Sequence, residues 1–127
     1  MSRPTKRTPQ VQGADFAKAV ARMAEENRAE EIVILDLREL SAVADFFVIA
    51  TGTSDRQLRA IADQIDEFGS KNGQRMYGRS GYENATWVLL DYVDVVIHLF
   101  DSEHREFYDL ELLWGDAPRL EWRDSVS

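Results

Sequence analysis

One stretch near the middle of the chain predicts the main unit of the fold: Asp45-Phe-Phe-Val-Ile-Ala-Thr-Gly-Thr-Ser-Asp-Arg-Gln57. Its first half is apolar on both alternating faces, which predicts a central strand covered on both sides of a sheet. Gly52 ends that strand, and Ser54 with Gln57 three residues later has the form of a capping box, which begins a helix. The helix then carries one apolar stripe, made of Leu58, Ile61, Ala62, Ile65 and Phe68. The stretch therefore predicts a buried strand followed by an amphipathic helix that packs on the sheet.

Helix and strand patterns continue on both sides of this unit. In chain order they predict a helix over 14–28, a strand over 31–36, the central strand and helix, strands over 74–79, 86–92 and 94–100, and a final helix from Asp101 or Ser102 to Gly115. The last two strands form a hairpin. Its turn at Tyr92-Val93 lacks the Gly or Asn that tight turns prefer, so either the loop is wider or Val93 is strained. The predicted fold class is α/β (α+β), with a mixed sheet of about five strands and three main helices.

Length and composition indicate one domain. The 127 residues divide, in our interpretation, into a flexible basic tail over 1–12, a single domain over 13–116 and a frayed tail over 117–127. No apolar run approaches the roughly 18 residues that span a membrane, and the basic N-terminus lacks the apolar stretch of a secretory signal. The absence of cysteine excludes disulfides and thiolate metal sites. We therefore expect a cytoplasmic protein.

The charge balance narrows the class of partner. A net charge of −8, from 23 acidic and 15 basic residues, repels phosphate backbones and argues against sequence-specific nucleic-acid binding. It attracts a positively charged protein surface. Net negative charge also keeps many proteins soluble, so composition alone leaves both interpretations open.

Candidate catalytic and metal-binding residues are few. His98 lies within an apolar strand, where a hydrogen-bonded core residue is expected, and His104 lies on a polar helix face, where a solvated role is expected. Asp91 and Asp94 flank the hairpin turn and could share a divalent ion, but acidic residues at turns commonly serve local hydrogen bonding. We predict no catalytic residue, no metal site and no cofactor.

The turn Gly52-Thr-Ser-Asp55 has two interpretations. Such turns can hold an anion on free backbone N–H groups, and this one slightly resembles the Gly-Ser turn of nucleotidyltransferases. Those enzymes need two carboxylates alternating on a following strand to hold Mg²⁺, whereas Asp63 and Asp66 fall inside the amphipathic helix. Helix capping by Ser54 is enough to explain the turn.

Three blocks of the chain together resemble the Iojap family, also called the ribosomal silencing factor or RsfS family. The first is the stretch 45–57 with Ala60-Ile-Ala-Asp63. The second is Trp87-Val-Leu-Leu-Asp-Tyr92 with Asp94-Val-Val-Ile-His-Leu-Phe100. The third is Arg105-Glu-Phe-Tyr-Asp-Leu-Glu-Leu-Leu-Trp-Gly-Asp116. In this order the similarity covers residues 16–116.

The resemblance implies a nucleotidyltransferase-like fold that has lost catalysis. It also implies binding to large-subunit ribosomal protein fourteen on the large ribosomal subunit, which blocks joining of the small subunit and represses translation, and homodimer formation in the free protein. Two positions depart from the family pattern. Ser80 stands where an acidic residue is usual, and Val93 stands where Gly is usual. The first concerns a salt bridge drawn from that position in the family, and the second concerns the shape of a turn near the implied docking surface.

Candidate partner-binding residues follow from alternation along the tryptophan strand. Trp87, Leu89 and Asp91 share one face, and Tyr92 alternates onto the other. Alternation alone leaves Trp87 either in the core or in an interface, and the resemblance favours the interface because the family's docking strand aligns with it. We predict Trp87 and Leu89 as anchors, polar contacts by Asp91 and Tyr92, and rim contacts by Glu83 and Asn84. At helical spacing, Tyr108, Leu110 and Trp114 are assigned to sheet packing or to the dimer contact.

Two other functions stay open at this point. One is a divergent nucleotidyltransferase that uses the turn at 52–54 with Asp91 and Asp94, which saturable binding of a nucleoside triphosphate with Mg²⁺ would support. The other is a structural homodimer, which a tight dimer that ignores ribosomes would support.

Overall fold

The structure, a computed structural model, describes residues 11–123. Within that range the elements in chain order are α1 (Gly13–Glu26), β1 (Glu30–Asp36), β2 (Phe46–Gly52), α2 (Asp55–Lys71), β3 (Gly78–Ser80), β4 (Trp87–Asp91), β5 (Val95–Asp101), α3 (Ser102–Tyr108) and α4 (Leu110–Leu113). Residues 1–10, most of the predicted basic tail, lie outside the described residues, as do residues 124–127. No helix in the described part of the chain is long and apolar enough to cross a membrane.

The strands form one mixed sheet in the order β1-β2-β5-β4-β3. β2, predicted as a central strand, pairs in parallel with β5, and all other neighbouring pairs are antiparallel. β4 and β5 form the predicted hairpin. The weak strand predicted over 74–79 is reduced to the three residues of β3 at the sheet edge. The mixed five-stranded α+β fold predicted from the sequence is confirmed.

α1 and α2 cover one face of the sheet and form the main core. Phe16 of α1 and Ile61 of α2 are fully buried, and each such side chain stabilises the fold by about 1.5–3 kcal/mol as an upper estimate. The predicted cap is present, since the Gln57 N–H donates to the Ser54 hydroxyl at 3.0 Å. Gly52 is required where β2 meets α2, because a Cβ there would lie 2.5 Å from Cδ2 of Leu58. The predicted unit of a buried strand and a packed helix is therefore present, and the structure adds the close approach at Gly52.

The hairpin turn between β4 and β5 is tight, and its strain falls on Val93. Val93 has a φ of 75°, and the Asp94 N–H donates to the Tyr92 carbonyl at 2.9 Å across it. A γ-turn with positive φ at its centre is rare and strained, above all for a β-branched residue. Of the two alternatives that the sequence left open, the structure has the strained turn rather than the wider loop.

The final helix is divided, which corrects the prediction of one continuous helix up to Gly115. Asp109 takes a left-handed conformation with φ 45° between α3 and α4. Its backbone N–H donates to the Arg105 carbonyl, and its side chain accepts a hydrogen bond from the Leu112 N–H. Asp tolerates this conformation because its short side chain can bond locally. One residue therefore ends α3 and begins α4.

Residues 117–123 are packed against the sheet, which corrects the prediction of a frayed tail for this part of 117–127. The Asp36 N–H donates to the Pro118 carbonyl at 2.8 Å, and the Leu120 N–H donates to the Ile34 carbonyl at 2.9 Å. Trp122 is only 5% exposed and joins the main core. The segment thus pairs with the outer edge of β1 and buries a large aromatic side chain, and these gains hold it in place.

Candidate partner-binding site

The face of the sheet opposite α1 and α2 is only partly covered. α3, α4 and Ala117 border a small second core that includes Leu35, Ile49 and Phe100. The other apolar and acidic side chains of this face are half-buried. We call them the open face: Phe47, Trp87, Leu89, Asp91 and Val96. The strand register brings them together, since Val96 pairs with both Phe47 and Asp91.

Trp87 is the largest side chain of the open face and is held by three aromatic neighbours. Its ring lies 5.0 Å from Phe100 and 4.5 Å from Tyr108, centroid to centroid. Its indole Nε1 donates a hydrogen bond to Nδ1 of His98 at 3.1 Å. The remaining surface of the ring is exposed, because Trp87 is half-buried rather than fully buried. Trp87 therefore belongs in part to the small second core and in part to the surface.

Leu89 and Asp91 continue the open face along β4. Leu89 is half-buried and lies opposite His98 in the register. Asp91 lies opposite Val96, and its Oδ1 accepts the Val93 N–H at 2.8 Å. This bond uses one carboxylate oxygen to hold the strained turn. The side chain still presents negative charge beside the apolar residues.

Glu83 and Asn84 lie in the turn before β4, and both are exposed. Arg59 of α2 holds this turn, because its guanidinium donates to the backbone carbonyls of Tyr82 and Glu83. The Tyr82 hydroxyl donates to Asp63 at 2.9 Å, which gives a second link to α2. The two side chains predicted at the rim therefore stand on a turn that is fixed to the helix layer.

Tyr92 does not belong to the open face, which corrects its assignment to a partner contact. It is 5% exposed and packs in the main core, with its ring 4.9 Å from that of Phe16. Burial raises the pKa of Tyr92 to about 12, and its hydroxyl has no hydrogen-bond partner among the described residues. The alternation along the strand already placed Tyr92 on the helix-covered side.

The residues assigned to sheet packing or to a dimer contact lie along the border of the open face. Tyr108 rests on Trp87, Trp114 lies 6.1 Å from Phe47 by ring centroids, and Leu110 packs against the small second core. Beside them are exposed apolar side chains that the sequence analysis did not assign to any contact: Phe107 at 77%, Leu112 at 76% and Leu113 at 71%. Exposed apolar side chains that extend an apolar face are typical of an interaction site.

Arg105 is a buried cation that the sequence analysis missed. It is 8% exposed, and its guanidinium donates to the Thr51 hydroxyl at 2.9 Å and to both carboxylate oxygens of Glu111 at 3.0 Å. A bidentate pair of this kind is among the stronger hydrogen-bonded contacts in proteins. It joins β2, α3 and α4, so it fixes the helices that border the open face. Arg105 and Glu111 are six residues apart, which is not helical spacing, so the sequence pattern does not indicate that they pair.

The two histidines differ in their surroundings. His98 is 4% exposed, and burial lowers its pKa to about 4, so the ring is neutral near pH 7. This agrees with the predicted hydrogen-bonded core residue. His104 is half-buried rather than simply solvated, with its Nδ1 lying 2.8 Å from Oδ1 of Asp101. Asp101 also accepts the His104 N–H and so caps α3.

The turn at 52–55 uses its polar groups for capping. The Thr53 N–H donates to Oε1 of Gln57 at 2.6 Å, and Ser54 accepts the Gln57 N–H. Within residues 11–123, no group of three or more His, Asp or Glu side chains is arranged to hold a metal ion. A cavity of about 600 Å³ at the end of β5 is lined mainly by acidic side chains, and Arg105, which also lines it, is already bonded to Glu111.

Comparisons with known proteins agree on one family. Residues 10–127 match the sequence model of the family described as "Ribosomal silencing factor during starvation". A Bacillus subtilis protein named ribosomal silencing factor RsfS is 45% identical over 101 residues, which are 80% of this chain and 86% of that protein. A maize protein named Iojap, chloroplastic, is 36% identical over 84% of this chain, and the match spans 46% of that protein. The fold is similar to a crystal structure of a Chromobacterium violaceum protein, with a TM-score of 0.79 and 31% identity over 83% of this chain and 88% of that chain.

Proposed function

Since this chain belongs to the RsfS (Iojap) family of ribosomal silencing factors, we propose that it binds the large ribosomal subunit through large-subunit ribosomal protein fourteen. The bound protein blocks joining of the small subunit and so represses translation in the cytoplasm, without catalysis. The open face makes the contact. The observation that carries this proposal is the open face itself, a group of half-buried apolar side chains around Trp87 that the fold covers only in part.

The composition of the open face supports a protein partner. Contacts between proteins are dominated by a few well-packed residues, with tryptophan enriched among them and polar residues at the rim. Trp87 is held against Phe100 and Tyr108 before any partner arrives, so little side-chain entropy is lost on binding. Glu83 and Asn84 stand beside it on a fixed turn and serve as the rim.

The charge of the chain supports a basic partner. The chain carries a net charge of −8, the exposed Glu83 precedes β4, and the exposed Asp94 follows the half-buried Asp91 at its other end. Acidic side chains that surround an apolar contact surface mainly raise the rate at which the protein associates with a positively charged surface. A ribosomal protein that carries basic residues beside an apolar patch is complementary to this arrangement.

The free protein forms a homodimer in this proposal. An apolar face that is open in the monomer is partly covered when two copies meet, and Phe107, Leu112 and Leu113 extend the area available for that contact. The dimer and the ribosomal complex then compete for overlapping surface. Light scattering should show dimers that are lost as purified protein fourteen is added.

The experiment that tests the proposal is co-sedimentation with isolated large subunits and, in parallel, with joined ribosomes. We expect binding to the free large subunit and no binding to the joined ribosome, because the docking surface lies at the subunit interface. Binding to neither particle would contradict the proposal, and titration with a nucleoside triphosphate and Mg²⁺ would then be the next measurement.

Charge-neutral variants test the electrostatic part separately. Asp91→Asn with Asp94→Asn should slow association with large subunits, and the loss should shrink at high salt because exposed charges are screened. Asn at 91 keeps an oxygen that can accept the Val93 N–H. The matched control removes the same charge from the helix layer, with Glu26→Gln and Asp66→Asn, both at exposed positions. Equal association rates for the two double variants would contradict a local role for Asp91 and Asp94.

A further inference from the structure

The His98 side chain lies on the middle strand of the sheet, on the same side as the open face. It lies on β5 between Ile49 of β2 and Leu89 of β4 in the register, and its ring is 4.5 Å from that of Phe47. Its Nδ1 accepts the hydrogen bond from the indole of Trp87. The imidazole therefore lies among the side chains of the open face, in contact with Phe47 and Trp87, while remaining 4% exposed itself.

The direction of this hydrogen bond determines which ring nitrogens of Trp87 and His98 carry a proton. The indole N–H is a donor only, so His98 must offer an unprotonated nitrogen at Nδ1. A neutral imidazole with a free Nδ1 carries its proton on Nε2. Burial keeps the ring neutral at physiological pH, because it lowers the pKa of His98 to about 4. The acceptor at Nδ1 is therefore present throughout the physiological range.

The other nitrogen of His98 shows that the histidine is costly for folding. Nε2 is buried and has no hydrogen-bond partner among the described residues. A buried donor without a partner destabilises a fold, whereas an apolar ring at the same place would pack without that penalty. Phe47 and Phe100 already surround the position with aromatic rings. The packing of the sheet therefore does not by itself account for a histidine at position 98.

We propose that His98 is a positioning residue of the open face, which sets the orientation in which Trp87 meets protein fourteen. The proposal rests on the function proposed above. Phe100 and Tyr108 restrain the indole through ring contacts, which allow it to slide or flip, whereas the bond to His98 selects one orientation of its N–H edge. The polar edge of Trp87 is thereby turned into the sheet, and the exposed remainder of the ring is apolar.

The test compares two substitutions of one residue. His98→Phe keeps an aromatic ring at the site but has no acceptor, and His98→Asn keeps an acceptor close to the position of Nδ1. We expect His98→Phe to remain folded by circular dichroism and to bind large subunits about tenfold more weakly, the upper end of what one hydrogen bond contributes. His98→Asn should bind within about threefold of the original chain, because it restores part of the bond.

A second readout follows the indole itself. The chain has three tryptophans, and the Trp87→Phe variant identifies the N–H signal of Trp87 in the NMR spectrum. In His98→Phe this signal should move and exchange faster with solvent, while the signals of Trp114 and Trp122 stay in place. This signal reports whether the bond forms in solution, and the rescue of affinity by His98→Asn separates a positioning role from a purely structural one.

The outcomes separate this proposal from the function on which it rests. Failure of the original chain to bind large subunits overturns the proposed function, and with it the role of His98 in docking. Tight binding by His98→Phe, or an unchanged Trp87 signal, overturns the positioning role alone. If His98→Phe does not fold, the tautomer of His98 in the original chain is measured instead. A proton on Nδ1 of His98 would overturn the positioning role, because it is incompatible with the bond from Trp87.

Discussion

Replacement of Trp87 by alanine should separate folding from partner binding. A fully buried Trp or Phe replaced by alanine costs about 3–5 kcal/mol, and Trp87 is only half-buried, so we expect a loss of about 2 kcal/mol in the free energy of unfolding. Domains of this size unfold with about 5–15 kcal/mol. The variant should therefore remain folded, with a lower melting temperature in circular dichroism.

Binding should suffer more than folding. Truncation of a central aromatic anchor costs at least about 2 kcal/mol of affinity, which is near 30-fold. Titration of large subunits with the purified variant measures this loss. Phe68→Ala is the matched control, because Phe68 is a half-buried aromatic residue on α2 in the opposite layer, stacked on Phe16 at 6.1 Å. It should lose stability to a similar degree and keep its affinity.

Three results would contradict the role proposed for Trp87. An unfolded Trp87→Ala chain would mean that Trp87 is a core residue and that the open face depends on it for folding. A folded variant with unchanged affinity would mean that the docking surface lies elsewhere. Equal losses of affinity in Trp87→Ala and Phe68→Ala would attribute the effect to general destabilisation.

Three further predictions concern stability. Val93→Gly should stabilise the chain by about 1 kcal/mol and raise the melting temperature by about 3–5 °C, because glycine adopts the φ of 75° without strain and Val93 is already 50% exposed; an unchanged or lower melting temperature would argue against strain. Burial lowers the pKa of His98 to about 4 in the folded chain, so between pH 6.5 and 4 this histidine becomes protonated mainly in the unfolded chain. The free energy of unfolding should therefore decrease by about 3 kcal/mol as the pH falls across this range. Urea denaturation at several pH values should show that the free energy of unfolding of His98→Phe decreases by about 3 kcal/mol less than that of the original chain. The same pH dependence in both chains would contradict this prediction. Trp122→Ala should lower the free energy of unfolding by about 3–5 kcal/mol, because Trp122 is only 5% exposed. The neighbouring substitution Arg123→Ala should lower it much less. Equal and small losses of stability in thermal melts would mean that the segment 117–123 is loosely held.

The parts of the fold that the sequence predicts well are those set by local patterns. The cap at Ser54 and the apolar stripe of α2 depend on residues within a few positions of one another, so both could be found without tertiary information. The alternation along β4 likewise predicts which side chains share a face. It does not predict how far each face is covered, since that depends on where α3 and α4 rest.

The errors arise where distant contacts or one residue's conformation decide the structure. The segment 117–123 has no periodic pattern, and its main partners lie on α1 and β1, such as Arg22, which donates to the Trp122 carbonyl. The break at Asp109 depends on a left-handed conformation, which an Asp within a helical pattern does not by itself predict. Tyr92 was assigned to the partner contact although its alternation placed it in the core.

The two edges of the sheet set limits on how this protein can assemble. Residues 118–120 occupy the outer side of β1, and the opposite edge offers only the three residues of β3. A strand from another molecule therefore has little exposed backbone to pair with, and this suppresses the edge-to-edge growth that leads to fibres. Two copies that meet through the same face form a closed pair, because each copy's face is then used. The same segment that completes the sheet thus favours complexes of defined stoichiometry over open-ended polymers.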